Sequence, residues 1–116
     1  MSVKIGVVGP CAAGKSTLVK GLNEHGYRVR HIAQEHSYVP EMWQKISNPD
    51  ILIYLDVSFQ VSTARRNLNL TETEFKTQLN RLAHARQHAD LYIQTDLLTV
   101  SHVLTQVLQY LSSVER

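Results

Sequence analysis

The sequence predicts an α/β domain: a small parallel sheet of about four strands, in three layers with helices on both faces. Two observations predict it. Apolar runs at 3–8 and at Ile51-Leu52-Ile53-Tyr54-Leu55 read as buried strands, and each is followed by a segment with the three-and-four apolar spacing of a helix. The first run also leads without a gap into Gly9-Pro10-Cys11-Ala12-Ala13-Gly14-Lys15-Ser16-Thr17, a glycine-rich turn that opens a helical segment. Strands alternating with helices imply parallel pairing through right-handed crossovers.

The elements follow in order. After strand 3–8 and the turn, Lys15 to His25 carries Leu18, Val19 and Leu22 on one face, and Gly26 stands where a helix C-terminal glycine belongs. Tyr27 to Ala33 alternates imperfectly, as a less buried strand does, with Arg28 and Arg30 as edge charges. Gln34-Glu35-His36-Ser37 lies at that strand's carboxyl end, the side of an open α/β sheet on which ligands bind. Pro40 suits the first turn of a short helix bearing Met42, Trp43 and Ile46, which Asn48-Pro49-Asp50 ends as a turn.

The third strand, 51–55, finishes in Asp56. Ser58 can cap a helix running to about Asn67, and Thr71-Glu72-Thr73-Glu74 is a capping box for a longer one reaching about Ala89. On that helix Phe75, Leu79, Leu82 and Ala89 form the expected buried stripe, with Arg86 in its middle, where an arginine needs an anion or must snorkel. Leu91 to Thr95 is a fourth strand. Val100, Val103, Leu104, Val107, Leu108 and Leu111 make an amphipathic closing helix.

Bulk properties bound the function. At 116 residues one domain, 1–116, is expected, and 43% hydrophobic with 19% charged residues is ordinary for a soluble globular chain. Twelve basic against ten acidic residues leave +2, which argues for neither nucleic acid nor a membrane surface. Cys11 is the sole cysteine, so an intrachain disulfide is impossible and a reducing compartment is expected; as a loop residue it reads first as a small side chain. With no window of 18 apolar residues and no signal-peptide core, no membrane partner and a cytoplasmic location are expected.

The spacing Gly9-x-x-x-x-Gly14-Lys15-Ser16, between a strand and a helix, is that of a phosphate-binding loop. Glycines let backbone N–H groups wrap a polyphosphate, and the helix that follows adds its first-turn amides and positive dipole end. Lys15 is expected to reach the terminal phosphates, the Ser16 hydroxyl to ligate magnesium, and Thr17 to bond a phosphate nearer the sugar.

Three stretches resemble one family, the P-loop nucleotide and small-molecule kinases such as nucleoside monophosphate kinases and shikimate kinase. They are Gly9 to Thr17; Ile51 to Ser58 followed by Arg65-Arg66; and Arg86-x-x-Ala89-Asp90-Leu91-Tyr92-Ile93-x-Thr95. The resemblance implies a P-loop NTPase fold and ATP with Mg2+ as cofactors. It also implies that Arg65 or Arg66 stacks on the base or touches phosphate, and that Arg86 helps hold phosphate or acceptor. The chain departs from the family between Ala33 and Ile51, where a further strand and an acceptor-binding insertion normally stand. The usual third strand is therefore expected to be missing, and with it the acid that accompanies magnesium.

Two carboxylates are candidates for that acid. Asp56 ends an apolar run as a Walker B acid does, although by family position it belongs to the following strand. If the second strand lies directly beside the first, Glu35 projects next to the loop and replaces the lost acid. His36 reads as a polar rim residue or a proton-transfer group. His84 and His88 have the i, i+4 spacing of a metal pair, with no third ligand in the pattern and a solvated face as the plainer reading. Tyr38 and Trp43 read as packing groups of the short helix before they read as ring-stacking ones.

Two functions are open at this point. One is an ATP-dependent kinase acting on a small molecule, nucleoside or nucleotide, with Lys15, Glu35, Arg65 and Arg86 as catalytic candidates. The other is a nucleotide-binding or slow NTPase module that works with a protein partner or a second copy of the chain. Signalling GTPases fit less well, since no Asn-Lys-x-Asp sequence is present.

Overall fold

The computed structural model describes residues 3–66 and 69–114. Its strands are β1 (Lys4–Val8), β2 (Arg28–His31), β3 (Ile51–Asp56) and β4 (Leu91–Gln94). The helices are α1 (Lys15–Glu24), α2 (Met42–Ile46), α3 (Phe59–Arg66), α4 (Glu72–His88) and α5 (Val100–Val114). A 3₁₀ turn, Gln34–His36, follows β2. The expected end of α3 at Asn67 lies outside the described residues.

The four strands form one all-parallel sheet in the order β2-β1-β3-β4. Lys4 to Val7 pairs with Arg28 to His31, so β2 lies directly beside β1 with no strand between them. Residues 34–50 hold only the 3₁₀ turn and α2, too little chain for a further crossover.

Strand alternation divides the core into two halves. Ile5, Val7, Ile53, Leu55 and Ile93 face α1 and α5, where they meet Leu18, Leu22, Val103, Val107 and Leu111. Val8, Leu52 and Tyr54 face the other way, against Trp43 of α2 and Leu82 and Ala85 of α4. Each such buried leucine or isoleucine contributes about 1.5–3 kcal/mol. β2 and β4 are the edges, and Arg28 and Arg30 are exposed as edge charges should be.

Two aspartates pin the register. The Asp50 carboxylate accepts from Lys4 N at 2.9 Å while Asp50 N donates to Lys4 O at 2.8 Å. Asp90 does the same for Leu52, with both distances 2.8 Å. The ladder is thus closed at its amino ends, and β1, β2, β3 and β4 all deliver their carboxyl ends to one edge.

The capping box at Thr71 is formed: Glu74 N donates to Thr71 Oγ1 and Thr71 N to Glu74 Oε1. The stripe of α4 differs from the expected one, since its buried residues are Phe75, Gln78, Leu82 and Ala85. Leu79 and Ala89 are half-buried and Arg86 is exposed, because position 86 lies one helical step of about 100° beyond Ala85. The arginine needs no buried anion.

Candidate functional site

Backbone geometry builds the centre of the site. Gly9 has φ 154°, and a Cβ there would stand 2.1 Å from Leu55 O of the neighbouring strand. Only glycine fits. Ala12 at φ 64° and Gly14 at φ 97° then turn the chain through the left-handed region, which costs a non-glycine residue about 1–2 kcal/mol. Gly14 is the N-cap of α1; no side chain caps it, and the first turn carries no acidic residue. The first amides and the positive dipole end of α1 are therefore left without a capping side chain or an acid of the helix's own first turn.

Lys15 folds back across this loop. Its ammonium donates to Gly9 O at 2.6 Å, Pro10 O at 3.0 Å and Glu35 Oε2 at 2.7 Å, which uses all three of its protons. Lys15 and Glu35 are both buried. The pairing of β2 with β1 brings Glu35 here, because the 3₁₀ turn after β2 then runs alongside the loop after β1. Arg81 of α4 donates to Glu35 O at 3.3 Å and steadies that turn. Glu35 Oε1 is buried and has no hydrogen-bond partner.

His31, the last residue of β2, faces the same space. Burial lowers its pKa and the Lys15 ammonium lowers it further, while Glu35 partly opposes them, so the imidazole favours its neutral form.

A cleft of about 1030 Å³ opens over the loop. Its polar end holds Lys15, Ser16, Thr17, His31, Glu35, His36, Arg65 and Arg66, and its apolar end holds Leu98, Val103 and Leu104. Arg65 bridges the two sides of this cleft: its guanidinium donates to Ala12 O at 3.1 Å, Thr95 Oγ1 at 3.0 Å and Thr95 O at 2.6 Å. Arg66 is exposed on the same wall.

Asp56 and Arg86 stand outside the cleft, on the α4 face of the sheet. The Asp56 carboxylate accepts from Val57 N at 2.9 Å and from the Tyr92 hydroxyl, and the Arg86 guanidinium lies 5.1 Å from the centre of the Tyr92 ring. A magnesium ion needs oxygen ligands at about 2.1 Å and keeps several waters. Ser16 and Glu35 both line the cleft, and Glu35 Oε1 has no hydrogen-bond partner. Asp56 is instead engaged by Val57 N and the Tyr92 hydroxyl, away from the cleft.

Two groups that carry the site had weak signals in the sequence. Gln78 donates through Nε2 to Cys11 Sγ at 3.1 Å and accepts from Cys11 N at 3.1 Å, so α4 clamps the loop. Its only trace was a polar residue three after Phe75 and four before Leu82. Thr95 closes the third family-like stretch, but its role depends on β4 ending beside β3.

Among the histidines, His84 is not a metal ligand in waiting: its Nδ1 accepts from Trp43 Nε1 at 3.0 Å. His88 stacks on it with centroids 4.3 Å apart. Trp43 is buried and packs α2 onto α4, whereas Tyr38 is exposed beneath the Arg81 guanidinium, 4.6 Å from its ring centre. No helix among the described residues is long and apolar enough to cross a membrane.

The sequence matches no protein-family model and no curated protein. Its chemistry therefore rests on its own residues.

Proposed function

We propose that this chain is a P-loop domain of the small-molecule kinase type that binds Mg-ATP in the cleft over residues 9–17. The observation that carries this reading is the meeting of the glycine-rich turn, the uncapped start of α1 and Lys15 on one wall of one cleft. Backbone amides of the loop wrap the polyphosphate, and Lys15 exchanges its loop carbonyls for the terminal phosphates. Ser16 and Glu35 hold magnesium, which when bound neutralises charge on the phosphate oxygens. Arg65 and Arg66 line the same cleft and serve as counter-charges for the transferring group. The apolar end formed by Leu98, Val103 and Leu104 suits the base.

A second reading, a nucleotide-binding or slow NTPase module that acts with a protein partner or a second copy, is favoured by one observation. With β2 directly on β1 and only a short helix in residues 34–50, the chain offers little surface for a phosphoryl acceptor.

Thermal unfolding with each nucleotide and magnesium tests the common claim. Ligand at a hundred times its Kd adds about 2.7 kcal/mol, worth roughly 10 °C in a domain near this size. No shift with any nucleotide, or an equal shift in Lys15→Ala measured from that variant's own unliganded midpoint, would remove the reading. Product analysis with a panel of small acceptors then separates kinase from module.

A further inference from the structure

We propose that Cys11, Glu35 and His36 form a zinc-binding site at the polar end of the cleft. Their thiol, carboxylate and imidazole donor atoms all lie within 4.8 Å of one another. They come from two elements, the loop after β1 and the 3₁₀ turn after β2, which the direct pairing of those strands sets side by side. An independent observation points to a ligand: Glu35 is 3% exposed, yet its Oε1 has no hydrogen-bond partner. A buried carboxylate oxygen left unpaired costs about 1–3 kcal/mol or more, and a cation relieves that cost.

The donor set selects the metal. Sulfur and imidazole nitrogen favour zinc over magnesium or calcium, and three protein ligands leave a fourth tetrahedral position for water. Zinc–ligand bonds of 2.0–2.3 Å put tetrahedral donors about 3.5 Å apart, so the cluster must contract by about 1 Å. His36 can supply its own share of this movement. Its side chain is 61% exposed, and its Nε2 stands 3.9 Å from Glu35 Oε2.

The surroundings accept the ion. Gln78 Nε2 already donates to Cys11 Sγ at 3.1 Å, the outer-shell hydrogen bond that a metal thiolate uses. Lys15 keeps Gly9 O and Pro10 O as acceptors when the metal takes the Glu35 charge. Zn2+ with one thiolate and one carboxylate is a neutral set, so the ammonium meets no net repulsion. Zinc is bound by the Cys11 thiolate, whose proton passes to solvent.

Zinc here and the magnesium proposed above would draw on the same Glu35 carboxylate, so the zinc site belongs to the nucleotide-free chain; the proposal does not rest on nucleotide binding, and its test contains no nucleotide. The reduced full chain is titrated with Co2+, and with Zn2+ against a chromophoric chelator. One ion per chain is expected, with a thiolate-to-cobalt charge-transfer band that disappears in Cys11→Ser. Zinc affinity should fall at least about 100-fold in Cys11→Ser and in His36→Ala, because even outer-shell losses cost 10–100-fold. The exposed His36 side chain makes His36→Ala the variant that keeps the fold, checked by its unfolding midpoint. His84→Ala, which alters the other neighbouring imidazole pair, should leave binding unchanged. A cobalt complex without the sulfur band, full affinity in His36→Ala, or binding lost in His84→Ala would each overturn the assignment.

Discussion

Lys15 Nζ stands 2.7 Å from Glu35 Oε2 with both side chains buried, so the loop's lysine is held by a carboxylate from the neighbouring strand's end. Removing one partner of such a pair leaves a buried charge, and this costs about 3–5 kcal/mol. Lys15→Ala should lose that much in urea unfolding, and Lys15→Ala/Glu35→Gln should recover most of it. Equal stability of the two variants would mean that the pair is not coupled.

Glu35→Gln tests the magnesium role proposed for the carboxylate apart from its contact with Lys15. Without Glu35 to compete for Lys15, metal-free ATP should bind more tightly, while the gain from added magnesium should shrink. Calorimetric titrations with and without magnesium read both effects. An unchanged magnesium dependence would leave Glu35 only as the lysine's counter-ion.

Gln78→Leu should destabilise the fold by about 1–3 kcal/mol, because the Cys11 N–H loses its acceptor. It should also weaken nucleotide binding, since the loop is no longer tied to α4. Gln78→Glu restores an acceptor and should rescue most of the stability. A Gln78→Leu variant as stable as the parent chain would show that water serves Cys11 N equally well.

His31 makes stability depend on pH. The unfolded imidazole has the ordinary pKa of 6.5, whereas burial and Lys15 lower it in the folded chain. The unfolded state therefore binds more protons as pH falls through 6.5, and folding stability falls with it until the folded imidazole also protonates. Stability measured between pH 8 and 5 should lose part of this slope in His31→Asn. An identical slope in the variant would assign it to other groups.

Trp43 is held by His84. The indole N–H donates to His84 Nδ1 at 3.0 Å. His84→Ala should cost about 1–3 kcal/mol in urea unfolding by leaving the indole N–H unpaired, and the fluorescence of Trp43, the only tryptophan, should change with it. Unchanged stability would show that water serves the indole N–H equally well.

Much of this was legible in the residues, for local reasons. The run 51–55 is apolar at every position and the run 3–8 at all but Lys4, as a strand covered on both faces requires, and β3 and β1 occupy them. Thr71 and Glu74 specify their own capping box because both partners lie within one turn. Gly9 and Gly14 mark backbone that few other residues adopt. Glu35 was named from its place at a strand end, conditional on β2 lying against β1.

Tertiary structure decided what depends on distant parts of the chain. Whether β2 lies against β1 is a matter of sheet order, which hydrophobic period does not encode, and that order joins Lys15 to Glu35. Asp56 ends its strand as a metal-binding acid would, but the pleat turns it to the α4 face, where the Tyr92 hydroxyl and Val57 N engage it. Gln78 and Ala85 take the buried stripe of α4 where Leu79 and Arg86 are expected, since a 3.6-residue period read from few apolar residues leaves the facing angle open by about 100°. The sequence by itself therefore determined the elements and the glycine loop, because those depend on residues within a turn or two of one another. Only the packed sheet determined which carboxylate, glutamine and arginine meet that loop, because they arrive from strands and helices far along the chain.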